Sequence, residues 1–169
     1  DGGPLYEALV AEEFSAIKAI PLAAEGDFPL SLHASIREQY ELFRGISLGT
    51  DRVVDDDFFT HRIYFGGRVD AYDRLSTFIE FGNSTFIGQE NDPAPVDEDP
   101  LYIHQGYADL FITPVDGATR HAVRVGRQEL PFGAARLIST RDGANVRLSF
   151  DAAKYTVDTE RFRLDVFGG

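Results

Sequence analysis

The sequence contains no cysteine, no methionine and no tryptophan. Without cysteine, the chain can form neither a disulfide framework nor a metal site built on thiolates. It also has no apolar run of about 18 residues, which excludes a transmembrane helix. Transmembrane β-strands are not detected by this criterion, because their side chains alternate between apolar and polar.

Basic residues are also scarce, since 16 Lys and Arg oppose 28 Asp and Glu, for a formal net charge of −12. An acidic chain is a poor nucleic-acid binder, because contacts with phosphate need a basic surface. All the basic residues are Arg except Lys18 and Lys154. Arg presents a planar fork of donors that matches carboxylate and phosphate groups. The 169 residues are enough for one domain.

Hydrophobic periodicity divides the chain into a short helical stretch followed by strands. Residues 4–20 place Val10, Phe14 and Ile17 on one face of a predicted helix. From Phe28 onward, apolar and polar residues alternate, which is the period of half-buried strands. Seven strands are predicted, at about 28–43, 58–72, 74–86, 101–113, 120–130, 145–155 and 160–168. Such a series predicts an all-β antiparallel meander.

The charged residues are concentrated on one face of the predicted strands. In the second strand Ile63, Phe65 and Val69 share one face, whereas Arg62 and Arg68 share the other. A membrane β-barrel turns its apolar face to lipid and its charges into the lumen. A soluble sandwich buries the apolar face and exposes the charges. The faces alone therefore leave both architectures open.

The predicted connections alternate between long and short, and this pattern favours a barrel. Residues 44–57, 87–100 and 131–144 form long loops, whereas short turns join the strands at the other end. Outer-membrane barrels have this asymmetry, and a sandwich has no reason to keep it. The first two long loops are rich in Asp and Glu, which we interpret as solvation. They show no EF-hand spacing, and no metal or cofactor is predicted.

The sequence contains no catalytic motif. The histidines His33, His61, His104 and His121 form no HxH or HExxH pair and are interpreted as structural. There is no GxSxG elbow and no Gly-rich phosphate loop. Carboxylates such as Glu80 can pair in space, which sequence spacing does not reveal. No enzymatic activity is predicted.

Residues 125–151 carry a longer motif, VGRQELPFGAARLISTRDGANVRLSFD. This stretch resembles the characteristic motif of the alginate-export family of outer-membrane porins. The matching positions are Gly126-Arg127-Gln128, Phe132-Gly133, Arg136-Leu137, Ser139, Arg141, Gly143, Asn145-Val146-Arg147 and Phe150-Asp151. The stretch departs from the family pattern at Ala144, where Pro is usual, and at Leu148, where a second Arg is common. With shorter matches elsewhere, the resemblance covers residues 17–169.

The resemblance implies an outer-membrane β-barrel of a Gram-negative bacterium, surrounded by lipid, with an electropositive pore for an alginate-like acidic polysaccharide or other anions. The pore-lining or substrate-binding candidates are Arg37, Arg62, Arg68, Arg124, Arg127, Arg147, Arg163 and Asp151. The length and charge of the loop at 131–144 add Arg136 and Arg141 as candidates for a constriction. By simple alternation Arg127 falls on the lipid-facing side, which requires either a bulge or a strand that has already left the membrane.

The predicted strand number is too small for a closed polysaccharide pore. Single-chain bacterial barrels have even strand numbers, and a wide pore needs about 16 to 18 strands. We therefore expect residues 28–169 to form the N-terminal part of a larger up-and-down transmembrane barrel, with the remaining strands missing from this chain. Residues 1–27 are expected to form a periplasmic segment, and the start at Asp1 points to a removed leader. The alternative function is a non-catalytic soluble β-domain that binds a ligand or partner.

Overall fold

The chain folds into one antiparallel sheet of eight strands, which follow each other across the sheet in sequence order. The computed structural model describes residues 20–22, 28–43, 56–72, 74–88, 96–113, 118–132 and 138–169. The strands are β1 (Ile20–Pro21), β2 (Pro29–Phe43), β3 (Asp56–Ala71), β4 (Leu75–Ile87), β5 (Asp99–Phe111), β6 (Thr119–Gln128), β7 (Phe150–Thr159) and β8 (Arg163–Gly168). Within the described residues, no helix is long and apolar enough to cross a membrane.

The predicted up-and-down topology is confirmed, because every strand pairs antiparallel with its neighbours in sequence. The connections from β2 to β3, β4 to β5 and β6 to β7 are long, and they lie at one end of the sheet. The connections from β3 to β4 and β7 to β8 are tight turns at the opposite end. Closure of this sheet into a barrel stays a prediction.

The N-terminal part of the sheet adds one strand to the seven predicted. β1 contains two residues, and its Ile20 lies opposite Leu30 of β2. Ile20 was predicted as the last residue of the helix over 4–20, and its pairing with β2 corrects that boundary. The rest of the predicted helix lies outside the described residues.

The two faces of the sheet are buried and exposed in the reverse of the way usual in a soluble protein, because polar side chains are buried and apolar side chains are exposed. In β4 the side chains of Ser76, Glu80 and Ser84 are buried, whereas those of Leu75 and Ile79 on the other face are exposed. We call these the polar face and the apolar face. Among the described residues, ten polar or charged residues are buried against four hydrophobic ones, and 23 large hydrophobic residues are exposed.

This polarity does not fit the sandwich alternative, which requires an apolar interior between two layers. The strands form a single sheet, and the face with buried side chains is the polar one. Soluble monomers rarely expose a continuous apolar patch larger than a few hundred Å². The apolar face is therefore suited to a surrounding that is itself apolar.

The strand predicted at 145–155 needs the largest correction. β7 begins at Phe150, and the preceding residues 138–149 leave the sheet. The side predicted for Asp151 is also wrong, because Asp151 lies opposite Arg127 on the apolar face, whereas Lys154 lies opposite Arg124 on the polar face. In the sequence, apolar and polar residues alternate through residues 145–149 as in a strand. In the structure, these residues form hydrogen bonds outside the ladder between β6 and β7.

The strand register can be tested by disulfide cross-linking, because the chain has no cysteine of its own. Ile36 and Ile63 lie directly opposite each other on β2 and β3. Opposite side chains share a face and lie close enough for a disulfide. Ile36→Cys combined with Ile63→Cys is expected to cross-link on mild oxidation, as measured by mass spectrometry. Ser35→Cys with Ile63→Cys places the thiols on opposite faces, and efficient cross-linking of this control would contradict the register.

Candidate functional site

A glycine in β3 lets side chains from β2 and β4 meet across the polar face. Gly66 lies opposite His33 on one side and Glu80 on the other. A Cβ at Gly66 would lie 2.3 Å from the Ile79 carbonyl oxygen and 3.0 Å from His33 Cε1. Because that atom is missing, His33 Nε2 reaches over β3 to within 2.5 Å of Glu80 Oε2.

A second glycine has the same effect one strand further along the sheet. Gly82 of β4 lies between Tyr64 of β3 and Tyr102 of β5, and the Tyr102 ring occupies the space above it. The Tyr102 hydroxyl donates to the Tyr64 hydroxyl at 3.2 Å. The hydroxyl of Tyr102 also lies 3.2 Å from that of Ser84. Polar side chains of three strands are thereby joined above two glycines.

A β-bulge in β5 turns two successive side chains toward the polar face. Glu80 lies opposite Gln105 and Phe81 lies opposite Ile103, so His104 is the extra residue. Gln105 Nε2 donates to Glu80 Oε1 at 3.0 Å. His104 is fully buried, with its ring stacked on Tyr64 at 4.4 Å between centroids. The bulge therefore places an imidazole on the polar face, where strict alternation would not put it.

Residues 138–149, which we call the inner segment, lie over the polar face. Asn145 is 4 % exposed, and its amide donates to the carbonyl oxygens of His61 at 3.3 Å and Thr85 at 3.2 Å. The Ser84 hydroxyl donates in turn to the Asn145 carbonyl at 3.1 Å. A buried amide needs such partners, so Asn145 fixes the inner segment to β3 and β4.

Two of the arginines that were predicted to line the pore bind the inner segment from the sheet. Arg62 donates to Asp142 Oδ1 at 2.8 Å and to the Ala144 carbonyl at 3.2 Å. Arg37 donates to the Asp142 carbonyl at 2.7 Å. The Arg62 guanidinium holds the pKa of the Asp142 carboxyl below its usual range, so this carboxylate is ionised at neutral pH.

Arg147, on the inner segment, links these contacts to the bulge. Its guanidinium donates to Glu129 Oε2 at 3.0 Å, and Glu129 Oε1 lies 2.8 Å from His104 Nε2. Arg147 Nε also lies 3.4 Å from Asp142 Oδ1. A continuous polar network therefore crosses four strands and the inner segment; it consists of His33, Arg37, Arg62, Glu80, His104, Glu129, Asp142 and Arg147.

A second group of charges lies on the polar face toward the short turns. We call its positive members the cation cluster: Arg68, Arg120, Arg124, Lys154 and Arg163. Arg124 forms a two-pronged ion pair with Asp109, which is 5 % exposed, at 2.7 and 2.8 Å. The Arg124 guanidinium also stacks 3.7 Å above the centre of the Tyr107 ring. The cluster is thus built on a rigid, paired arginine.

Two predicted pore-lining residues lie on the other face. Arg127 and Asp151 are directly opposite each other on β6 and β7, with hydrogen bonds of 2.9 and 2.8 Å. Arg127 shares the face of Val125, which is exposed on the apolar side. No register shift separates β6 from β7, so a bulge between them does not return Arg127 to the polar face. These two residues are therefore separated from Arg124.

The remaining sequence candidates divide between the two groups. Arg37, Arg62 and Arg147 belong to the polar network, while Arg68, Arg124 and Arg163 belong to the cation cluster. Arg141 is exposed on the inner segment, and Arg136 lies outside the described residues. Sequence reasoning missed His33, Glu80, His104, Glu129 and Lys154 as members of these groups.

A family model described as alginate export matches residues 28–168. This range contains seven of the eight strands, the inner segment and both groups of charges. No curated protein and no solved structure matches the chain.

The attachment of the inner segment to Arg62 predicts a pH dependence. The pKa of Asp142 is lower in the folded protein than in a free Asp side chain. The ion pair of Asp142 with Arg62 therefore stabilises the attachment of the inner segment fully above the ordinary Asp pKa of about 3.9, and this stabilisation is lost as the pH falls through the lowered pKa. A spin label at Gly143→Cys, a position with no neighbour within 4 Å, reports the motion of the segment. We expect low mobility from pH 8 to about pH 4 and a rise only in stronger acid.

Asp142→Asn is expected to raise the label's mobility at neutral pH, while Asn145 still retains the segment on the sheet. Glu160→Gln, at the exposed turn before β8, is the matched control and should leave mobility unchanged. A rise already near pH 6, or no effect of Asp142→Asn, would contradict the attachment.

Proposed function

The chain belongs to the alginate export family of outer-membrane porins, and from this we propose that its sheet is part of the wall of a pore for acidic polysaccharide or other anions. The polar face lines the water-filled lumen in this proposal, and the apolar face contacts lipid. The family is one of transport proteins, so the proposed role is passage of a solute without a chemical step.

The reversed polarity of the two faces is the observation that carries this proposal. Charged side chains such as Arg62, Glu80 and Asp109 are buried on one face, whereas Ile36, Phe65 and Val125 on the other are exposed. A membrane barrel alternates in this way because lipid favours apolar side chains and the lumen holds water. Tyr40 and Phe59 pack together near the long-loop end, where an aromatic girdle would meet the lipid headgroups.

Anion preference is proposed to arise from six arginines on the polar face or the inner segment. They are Arg37, Arg62, Arg68, Arg124, Arg147 and Arg163. Arginine rings select anions in pores, and guanidinium groups match carboxylates. The interleaved carboxylates keep each contact weak, which lets a charged chain move from site to site. Arg127 and Asp151 are left out, because they lie on the apolar face.

The inner segment is the proposed constriction of this pore. It projects from the wall between β6 and β7 and is held by Asn145 and Arg62. Arg141, exposed on the segment with a positive φ of 52°, is positioned to meet a passing anion, and Arg136 precedes it in the same loop. The narrowest part of the passage would then be lined by positive charge.

Completion of the barrel is proposed to need further strands. A closed barrel of about eight strands has an interior filled by side chains, whereas wide aqueous pores have about 16 to 18. We propose that residues 28–169 form the N-terminal portion of the wall and that residues 1–27 lie in the periplasm. Outer-membrane lipid and the remaining strands are then the structural partners of this chain.

Lipid contact of the apolar face can be tested at Phe65. Its ring stacks on Phe81 at 5.4 Å and is 49 % exposed. Arg on a lipid face costs about 2–4 kcal/mol near the bilayer midplane. Phe65→Arg is therefore expected to lower the folded fraction in liposomes, measured by the heat-dependent gel shift. Ser35→Arg, on the polar face, should fold like the parent; equal losses for both variants would contradict the assignment of the faces.

Anion preference can be tested by neutralising one arginine from each group. Arg124→Gln combined with Arg147→Gln in the complete protein is expected to shift the reversal potential in planar bilayers toward cations. The shift should shrink at high salt, since mobile ions screen the field of the arginines.

Arg127→Gln removes the same type of charge from the apolar face and is the control expected to keep the selectivity of the parent. The heat-dependent gel shift shows whether the double variant is folded. Unchanged selectivity in a folded double variant would assign these arginines to strand pairing and overturn the anion-pore mechanism.

A further inference from the structure

Each arginine of the cation cluster already has a carboxylate partner. The pairs are Arg68–Asp70 at 2.7 Å, Arg120–Asp158 at 2.5 Å, Arg124–Asp109 at 2.7 Å and Arg163–Asp165 at 2.8 Å. Lys154 is the exception, since it forms no ion pair within 4.0 Å among the described residues. Within the cluster, the four arginines are thus paired and Lys154 is not.

The position of Lys154 is unfavourable for the fold alone. Lys154 and Arg124 lie directly opposite each other on β7 and β6. Like charges in directly opposite positions destabilise a sheet, and Asp109 already engages both prongs of Arg124. A local arrangement that opposes stability without a compensating contact is typical of a functional position.

Open space adjoins Lys154 on two sides. One cavity of about 320 Å³ extends toward the short turns, between Arg68 and Arg120. A second cavity of about 430 Å³ lies toward the inner segment and is also lined by Gln105 and Glu129. Both cavities share Arg124, Lys154 and Arg163. Lys154 therefore lies at the junction of two water-accessible spaces.

We propose that Lys154 is the centre of a carboxylate-binding subsite for acidic sugar units, with Arg124 and Arg163 as flanking donors. This inference rests on the proposed function and adds the residue that holds the solute. A carboxylate that reaches Lys154 gains a charge-assisted contact without first breaking an existing ion pair. At each arginine of the cluster, the same carboxylate must compete with a bound Asp.

The adjoining cavities fit a stepwise passage. A sugar carboxylate released from Lys154 can move along either space, with Arg68 and Arg120 on one side and Arg124 and Arg163 on both. Binding that is weak and distributed over several positions permits such movement. A single unpaired ammonium supplies attraction while the paired arginines keep the subsite from holding the solute too tightly.

Current block in planar bilayers tests this subsite in the complete protein. The probe is a short oligoglucuronate, and maltotriose serves as the neutral comparison. Lys154→Gln is expected to raise the half-blocking concentration of oligoglucuronate about three- to tenfold, because a charge-assisted contact in a water-filled cavity is partly screened. Lys154→Arg keeps the charge and should stay near the parent value. Block by maltotriose should not differ among the variants.

A second variant is designed to strengthen binding at the subsite. Asp165→Asn frees Arg163 from its ion pair and adds an unpaired cation beside Lys154, so oligoglucuronate should block at lower concentration. Arg127→Gln, on the apolar face, is the charge control and should match the parent. Folding of each variant is checked by the heat-dependent gel shift.

The outcomes separate the subsite from the function on which it rests. If oligoglucuronate blocks the parent and the folded Lys154→Gln variant equally, the subsite is overturned and the proposed pore function stands. If the parent shows neither anion preference nor block by oligoglucuronate, both are overturned. Weakened block in Lys154→Gln with parent-like block in Lys154→Arg supports the subsite.

Discussion

A charge removed from water must have a partner of opposite sign, and this constraint organises the polar face. Arg62 and Asp109 are each less than 10 % exposed. An unpaired ion at such a position costs several kcal/mol, about 3–5 when one partner of a buried pair is removed. Their partners come from other strands or from the inner segment, so ion pairing also determines where that segment lies. Arg62 and Asp142, 80 residues apart in sequence, meet for this reason.

The strand pattern could be predicted from the sequence because period-two alternation is a local property. It gave the antiparallel meander, the alternation of long and short connections and the polar face of β3. It failed at residues 145–149, where VRLS continues the alternation but the neighbouring Asn145 bonds to carbonyl groups of β3 and β4. A pattern of side chains does not show where backbone hydrogen bonds go. Asp151 was consequently predicted to line the pore, whereas it lies opposite Arg127 on the apolar face.

The candidate site was less predictable than the fold, because it depends on two local exceptions to a regular strand. In the sequence, Gly66 is only one residue of a strand. In the structure, the missing side chain at Gly66 leaves the space across which His33 reaches Glu80. The bulge at His104 has no sequence signature of its own, since it is a mismatch between the registers of two strands. Five of the arginines could still be assigned to the polar face from their positions in the strand pattern, namely Arg37, Arg62, Arg68, Arg124 and Arg163.

Most arginines on the polar face are paired, which limits what they can do for a passing anion. An ion pair is a dipole, and its field falls off faster than that of a single charge. A guanidinium paired with Asp therefore attracts an anion less strongly than a free cation does, although its position and orientation are fixed. A solute carboxylate must displace the Asp to contact such a guanidinium fully. The unpaired ammonium of Lys154 acts at longer range and binds without such exchange. In the proposed pore, the paired arginines then supply contacts at close range, and Lys154, which has no ion pair among the described residues, adds attraction at longer range.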